Sequence, residues 1–231
     1  EAYVYTPSEG RNTSAYLIGI SGQNRLDPAG FAVGSWSGQY GNLRDIFNLK
    51  NAATSSTSLS AEQKSAIQGF AKTLEGLELL YVISTRDTLG AIVEIKQNAS
   101  DLAAFVSRDS TNKYILATLD DGAANLAAGG SAFPFTIHAG FTGFNTPSTF
   151  RLFNRAIAAR AAAYHATSGG GAAAWQRALT ALTASYLNTA ATTRAQLDVG
   201  PVHVYSAATG DANSPLNMVT ATDVYAHESF R

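Results

Sequence analysis

Aromatic side chains with amide and guanidinium neighbours are the residues of this sequence best suited to chemistry. Trp36 and Tyr40 lie four residues apart, and Asn42 and Arg44 follow them. Sugars present flat C–H faces, which proteins bind by stacking aromatic rings and adding amide or guanidinium donors at the edges. Residues four apart also share one face of a helix, which is the usual arrangement of a packed core. The pattern therefore leaves two interpretations open, a glycan-binding platform or a core face.

A second aromatic group lies in one loop that contains Phe133, Phe135, Phe141 and Phe144. Four phenylalanines are too much apolar surface to leave in water, so we expect the loop to fold back on the helices. The alternative is a contact surface for a partner or a ligand. Phe135 and Phe141 are therefore ligand-binding candidates, and Tyr205, in the C-terminal turns, is a further one.

Reactive groups are sparse and are not arranged for catalysis. The sequence contains no cysteine and no G-x-S-x-G motif, so it lacks both a thiolate and the usual setting of a serine nucleophile. Asp120 and Asp121 are adjacent, and neighbours on a helix point about 100° apart, so the pair cannot jointly flank a glycosidic bond. No metal-ligand spacing occurs among the histidines, which are His138, His165, His203 and His227. We therefore predict a protein that is not an enzyme, with no catalytic residue, metal site or cofactor.

Composition and charge bound the class of protein. The chain has 231 residues, of which 45% are hydrophobic and only 14% are charged, with a formal net charge of -1. Near-zero charge argues against nucleic acid as a partner, because domains that bind nucleic acid carry a basic face. No apolar run reaches the length of a membrane span. These features are typical of a globular protein with a weakly charged surface.

One stretch, residues 60–83, carries the strongest helical signal in the chain. Ser60 and Gln63 have the spacing of a capping box, in which each side chain bonds the backbone N–H of the other residue. Apolar residues then recur at steps of three and four, which predicts an amphipathic helix. Gly69 and Gly76 interrupt this helix at a cost of about 1 kcal/mol each relative to alanine. Two tolerated glycines indicate that another helix crosses closely at these positions.

The same periodicity predicts helices on both sides of this stretch, at Trp36–Leu49, Asn112–Leu126, Thr146–His165 and Ala173–Leu187. In the third of these, Thr146 is the cap and Pro147 takes the first helical position, which proline favours. A short extended segment, residues 91–95, lies among them. Trp175 falls on the apolar stripe of the last helix, so we expect it in the core. Glu75 falls outside the apolar stripe of its helix, so we expect it in water.

Helix pairs joined by short links predict the fold class. We expect an all-α fold of tetratricopeptide-like antiparallel helix pairs, with long loops and little β-structure. The last pair is the clearest, because the small side chains of Ala158, Ala159, Ala162 and Ala163 permit close approach. The strict tetratricopeptide consensus is absent, so this prediction rests on the layout of the helices and on the small residues between them.

Several segments recur in the order and at the spacing of a known helical scaffold. They are WSGQY (36–40), GFAKTLEGLELLY (69–81) with DTLG (87–90), YILATLDD (114–121), FNRAIAAR (153–160) and WQRAL (175–179). In this order they resemble the SusD/RagB family of outer-membrane nutrient-binding lipoproteins, over most of residues 36–190.

The resemblance implies a single SusD-like helical domain over residues 1–231 that is part of a longer chain. It implies a non-enzymatic subunit that binds an oligosaccharide or peptide nutrient and delivers it to a TonB-dependent, SusC-like transporter. Its place would be the outer membrane, at the extracellular surface of the cell. Membrane attachment would come only through a lipid anchor that this chain does not contain.

A second function class stays open beside this one. The chain could be a helical-repeat interaction or structural subunit of a surface assembly, without a small-molecule ligand, and its low charge favours self-assembly. A glycan hydrolase is a third class, but it needs two acids at a suitable separation, which the sequence does not display.

Overall fold

The protein divides into two compact units, residues Glu1–Gly34 with His203–Arg231, and residues Ser35–Val202. The structure is a computed structural model that describes residues 34–204 apart from 87, 99 and 102, together with residues 206 and 208 and two short strands. The strands, β1 (Val4–Tyr5) and β2 (Tyr225–Ala226), pair antiparallel in the first unit. The expectation of one domain over the whole chain stays a prediction, since most of the first unit lies outside the described residues.

Helices build the second unit, and the all-α prediction is confirmed. In chain order they are α1 (Gly34–Ser55), α2 (Ala61–Ser84), α3 (Arg108–Ala127), α4 (Pro147–His165), α5 (Gly171–Thr183) and the single turn α6 (Arg194–Leu197). The first helix continues past its predicted end at Leu49 to Ser55, and the last long helix ends at Thr183, before the predicted Leu187. Apart from β1 and β2, strand pairing in the described residues is limited to one isolated bridge.

Local capping signals set the starts of α2 and α4. The backbone N–H of Gln63 donates to Ser60 Oγ over 3.2 Å, and the Ser60 N–H donates to Gln63 Oε1 over 2.9 Å. Thr146 caps α4 with Pro147 in its first turn, where the missing N–H of proline costs nothing. The predicted caps are therefore confirmed, because the groups that form them lie within four residues of each other.

The close crossing predicted at the glycines of α2 is confirmed, and its partner is α3. A Cβ atom built on Gly69 would lie 2.6 Å from Leu126 Cγ, and one built on Gly76 would lie 2.6 Å from Leu119 Cγ. The pairing runs in opposite directions along the two helices, so they are antiparallel. Only glycine leaves room for the leucines at these two positions.

Small residues also join α4 to α5, as predicted. Ala158 and Ala162 of α4 and Ala178 and Ala181 of α5 are all buried in the main hydrophobic core. The same burial corrects one prediction, because α5 turns its alanines inward and leaves Trp175 48% exposed. The apolar stripe of α5 has two sides, and the side with small residues is the one that fits against α4.

Helix α1 lies against α2 through polar bonds as well as apolar contacts. Asn42 Nδ2 donates to Glu78 Oε1 over 3.0 Å, and the Lys50 ammonium pairs with the Glu75 carboxylate. The expectation that Glu75 stays in water is wrong, since this residue is only 5% exposed. Partners from two neighbouring helices make its burial possible, because the Tyr114 hydroxyl of α3 also donates to Glu75 Oε1, over 2.8 Å.

Candidate functional site

Trp36 and Tyr40 do meet on one face of α1, and two further residues join them. The Trp36 ring lies 4.5 Å from the Tyr40 ring and stacks on the Phe105 ring, with 5.9 Å between centroids and 22° between planes. The Arg86 guanidinium lies 4.8 Å from the centroid of the Trp36 ring and 5.9 Å from that of Phe105. We call Trp36, Phe105 and Arg86 the aromatic platform. It combines two aromatic rings with a guanidinium cation, and cations are attracted to the faces of aromatic rings.

Tyr40 packs against Trp36 of the platform, and its hydroxyl is hydrogen-bonded to the backbone of Ile92. Its hydroxyl donates to the Ile92 carbonyl over 2.8 Å and accepts from the Ile92 N–H over 2.9 Å. Burial raises the pKa of Tyr40 above its ordinary value, and the hydrogen bond with Ile92 and the charge of Arg86 oppose that rise. Tyr40 therefore fixes the extended segment that follows α2 against α1, and its hydroxyl is already committed to that segment.

A backbone bridge brings Phe105 to the platform. The Val106 N–H donates to the Ala91 carbonyl over 2.9 Å, which forms the isolated antiparallel bridge. A Cβ atom on Gly90 would lie 1.5 Å from the Val106 carbonyl oxygen, so glycine alone permits this approach. The bridge thus fixes the chain immediately before α3 and holds Phe105 beside Trp36.

The platform is open to solvent on the side of Phe105. Phe105 is 58% exposed, and Trp36 is partly buried against the main core. The Nε atom of Arg86 is buried and has no hydrogen-bond partner among the described residues. Rings with an adjacent guanidinium are suited to stacking a flat apolar face and donating to the polar groups at its edge. None of the three side chains is a nucleophile or a general base at neutral pH, so the chemistry that they offer is stacking and hydrogen-bond donation.

Asn42 and Arg44 do not join the platform, because each is used elsewhere. Asn42 bonds Glu78, whose pKa is raised by burial and partly lowered again by this hydrogen bond. Arg44 donates from Nη1 to the Lys96 carbonyl, and its guanidinium lies 5.4 Å from the centroid of the Phe47 ring. Both side chains therefore anchor α1 to its surroundings.

Phe135 and Phe141 lie in a separate aromatic cluster, which confirms that their loop folds back on the helices. Phe135 packs on Phe70 at 5.0 Å between centroids, and Phe141 packs on Phe150 at 5.5 Å. Phe150 is fully buried at the centre of this cluster. The loop is therefore part of the core, with Phe135 at its edge and 36% exposed. The remaining candidate, Tyr205, lies outside the described residues.

Sequence reasoning missed Phe105 and Arg86. A single phenylalanine in a connecting segment has no periodicity to mark it, and an arginine just past the end of a helix has many ordinary roles. A signal existed only in the glycine before the extended segment, since Gly90 indicates a close backbone approach. The glycine does not indicate which residue this close approach places beside Trp36.

Among the described residues, the carboxylates and histidines show no site of their own. Asp120 is exposed and pairs with Arg155 over 2.8 Å and with Arg177, which links α3 to α4 and α5. Throughout the described residues, no group of three histidine, aspartate or glutamate side chains is placed to hold a metal ion.

Comparisons with known proteins found no match for this chain among family models, curated proteins or solved structures. The resemblance to the SusD/RagB family therefore rests on the sequence segments given above. No helix in the described part of the chain is both long enough and apolar enough to span a bilayer.

Proposed function

We propose that this protein is a non-enzymatic glycan-binding subunit and that the aromatic platform is its binding surface. The observation that carries the proposal is the exposed ring of Phe105 stacked beside Trp36, with the guanidinium of Arg86 over both. An exposed aromatic ring next to a guanidinium is the chemistry that recognises a sugar, because one face of a sugar is apolar and its rim is polar.

The ligand is neutral or weakly polar, and it is passed on to a membrane transporter. The platform contributes rings and one cation, and the chain as a whole has a formal net charge of -1. Delivery to a TonB-dependent, SusC-like transporter at the outer membrane and the cell surface follows from the resemblance to the SusD/RagB family. An oligosaccharide fits the platform better than a peptide, since the face to be covered consists of stacked rings.

Replacing Phe105 tests the proposal with little risk to the fold. Phe105→Ala removes a 58% exposed ring, so we expect the melting temperature to change little. Glycan affinity should fall by roughly 1–2 kcal/mol, because a stacking partner is lost. Isothermal titration with a panel of soluble hexasaccharides (α-glucan, β-glucan, mannan and xylan) measures this, together with thermal melts of both proteins.

Trp175→Ala is the matched control, since it also removes an exposed aromatic ring, 48% exposed, but from α5. It should leave glycan affinity unchanged. The proposal is wrong if no glycan of the panel binds, or if Phe105→Ala binds as tightly as the wild type.

One observation favours the alternative of an interaction subunit. Helix α5 leaves large apolar side chains in solvent at Trp175, Leu179 and Leu182, with exposed fractions of 48%, 58% and 36%. Residues at these steps share one helix face, and a contiguous apolar face is typical of a protein contact. Under this alternative the protein self-associates, and Leu179→Glu abolishes the association in sedimentation velocity. A monomeric wild type at high concentration contradicts it.

A further inference from the structure

A cavity that the platform does not use opens at one end of the helix series. It has a volume of about 240 Å³ and is lined by Ile83, Ser84, Arg108, Asn112, Tyr164 and Thr167. These residues come from the last turn of α2, the start of α3, the end of α4 and the turn after it, which meet because the helices are antiparallel. At about 30 Å³ per water, the space equals roughly eight waters. That is below the range of about 300–1,000 Å³ that holds drug-sized ligands.

Two hydroxyl groups of the lining have already donated their hydrogens. Ser84 Oγ donates to the Leu80 carbonyl over 2.6 Å, and Thr167 Oγ1 donates to the Tyr164 carbonyl over 2.9 Å. A hydroxyl has one hydrogen and two lone pairs, so both groups can only accept a hydrogen bond from a ligand.

Asn112 adds a third acceptor in a more protected position. Its side-chain nitrogen donates to Ser168 Oγ over 3.4 Å, which orients the amide. The residue is only 4% exposed, and its carbonyl oxygen Oδ1 is an acceptor.

The lining also contains a hydrogen-bond donor, the Tyr164 hydroxyl. The Tyr164 hydroxyl accepts from Arg160 Nη2 over 3.2 Å and from Arg160 Nε over 3.3 Å, so its own hydrogen stays available for a ligand. The Arg108 guanidinium also lies in the lining. The Tyr164 ring is 42% exposed, with the Arg160 guanidinium 5.3 Å from its centroid. The lining thus offers acceptors, a donor and one ring.

We propose that this cavity binds a single neutral sugar residue, as a second subsite of the glycan-binding function proposed above, on which this inference rests. Ser84 Oγ and Thr167 Oγ1 can only accept, so a ligand must carry hydrogens to bond them, which a carboxylate does not at neutral pH. A polyol supplies hydrogens and lone pairs at every hydroxyl, and its flat face fits the Tyr164 ring. The volume of about 240 Å³ is enough for one sugar residue.

Backbone amide spectra of the ¹⁵N-labelled protein test the proposal with monosaccharides as probes: glucose, galactose, mannose, xylose and N-acetylglucosamine. We expect at least one of them to cause saturable shifts of the amides of Ser84, Asn112 and Thr167. The double variant Tyr164→Phe, Thr167→Val deletes one donor and one acceptor from exposed side chains, so the fold should persist. Its affinity for that sugar should fall roughly tenfold, since two hydrogen bonds are lost.

The matched control is Tyr81→Phe, Thr183→Val, because both side chains are exposed and lie outside the cavity. Thr183 also donates to a helix carbonyl, that of Leu179, over 2.9 Å. The control should bind the sugar as the wild type does. The inference is overturned if no monosaccharide shifts the three amides, if the cavity variant keeps full affinity, or if sodium acetate shifts these amides and the sugars do not. Failure of the platform is separate, since Phe105→Ala should leave the monosaccharide shifts in place.

Discussion

The packing of α2 with α3 and α4 differs in kind from the packing of α1 on α2. Between α2 and α3, Gly69 and Gly76 let leucines approach to distances that any Cβ atom would block. On α1, Gly38 and Gly41 have nothing within 4 Å of an added Cβ. The α1–α2 contact combines the buried Leu43 with polar bonds such as Asn42 with Glu78. One interface is closed by shape at its glycines, the other by apolar contacts together with hydrogen bonds and charge.

This difference places the candidate site in the more adjustable region. Close-packed interfaces leave no room for a side chain to shift without cost, whereas polar bonds at a partly hydrated interface exchange with water. The platform combines a residue of α1 with Arg86 and Phe105 from the connection between α2 and α3. A ligand that bridges these pieces would stabilise the α1 side of the molecule without disturbing the packed helices.

The largest expected effect is the difference in stability between substitutions of two asparagines, Asn154 and Asn42. Asn154 is fully buried in the packed region, where Nδ2 donates to Thr73 Oγ1 over 2.8 Å and to the Leu119 carbonyl over 3.1 Å. Asn154→Ala should lower the free energy of unfolding by about 3 kcal/mol, because it leaves a cavity and unpaired buried groups. Asn42→Ala, at the exposed edge of α1, should cost at most about 1 kcal/mol. Urea denaturation measures both, and equal costs would remove the distinction between the two regions.

The same substitution at two glycines should change stability in opposite directions. Gly69→Ala should destabilise by about 1–3 kcal/mol, since the new Cβ would lie 2.8 Å from the backbone nitrogen of Leu126. Gly41→Ala should stabilise by about 0.5–1 kcal/mol, because alanine is the better helix former and its Cβ meets open space. Denaturant midpoints test the pair. Stabilisation at both positions would mean that α2 and α3 do not cross as closely as described.

A smaller effect concerns the polar junction of α1, α2 and α3. Burial, and then the neighbouring Glu75 carboxylate, raise the pKa of Tyr114 above its ordinary value. The folded pKa exceeds the unfolded one, so Tyr114 stabilises the protein below about pH 10 and this contribution is lost as pH rises further. Glu75→Gln removes the charge and should lower the pKa of Tyr114.

Tyrosinate absorbance measures that change, and subtracting the titration of a Tyr114→Phe variant isolates the one residue. Glu94→Gln is the milder comparison, because Glu94 is the weakest of the influences on Tyr114. An unchanged pKa in Glu75→Gln would mean that the two side chains are not in contact in solution.

The smallest expected effect is that of salt on glycan binding. Stacking on Phe105 and Trp36 releases no bound counterions, so affinity should change less than about twofold between low and high salt. Titrations of the wild type at several sodium chloride concentrations measure this. A steep fall of glycan affinity with salt would mean that binding depends on the charge of Arg86 rather than on stacking against the rings.

Features set by neighbouring residues were predictable from the sequence. The capping pair Ser60 and Gln63 and the helix start at Pro147 depend on groups a few residues apart, and both are found as predicted. Gly69 and Gly76 predicted a close crossing of helices, because glycine destabilises a helix and a close neighbour explains why no larger residue stands there. The pattern did not say which helix crosses there, and the structure identifies it as α3.

The sequence by itself determined the helical class, the starts of α2 and α4 and the positions that need small residues, because the backbone hydrogen bonds and steric limits that fix them act over short range. The tertiary structure alone decided that Glu75 is buried and that Trp175 is exposed. It also decided that the neighbour of Trp36 is Phe105, and that Asn42 and Arg44 form bonds elsewhere. These outcomes depend on which helices meet, since a side chain is buried or exposed by partners from distant parts of the chain, and no periodicity within one helix specifies them.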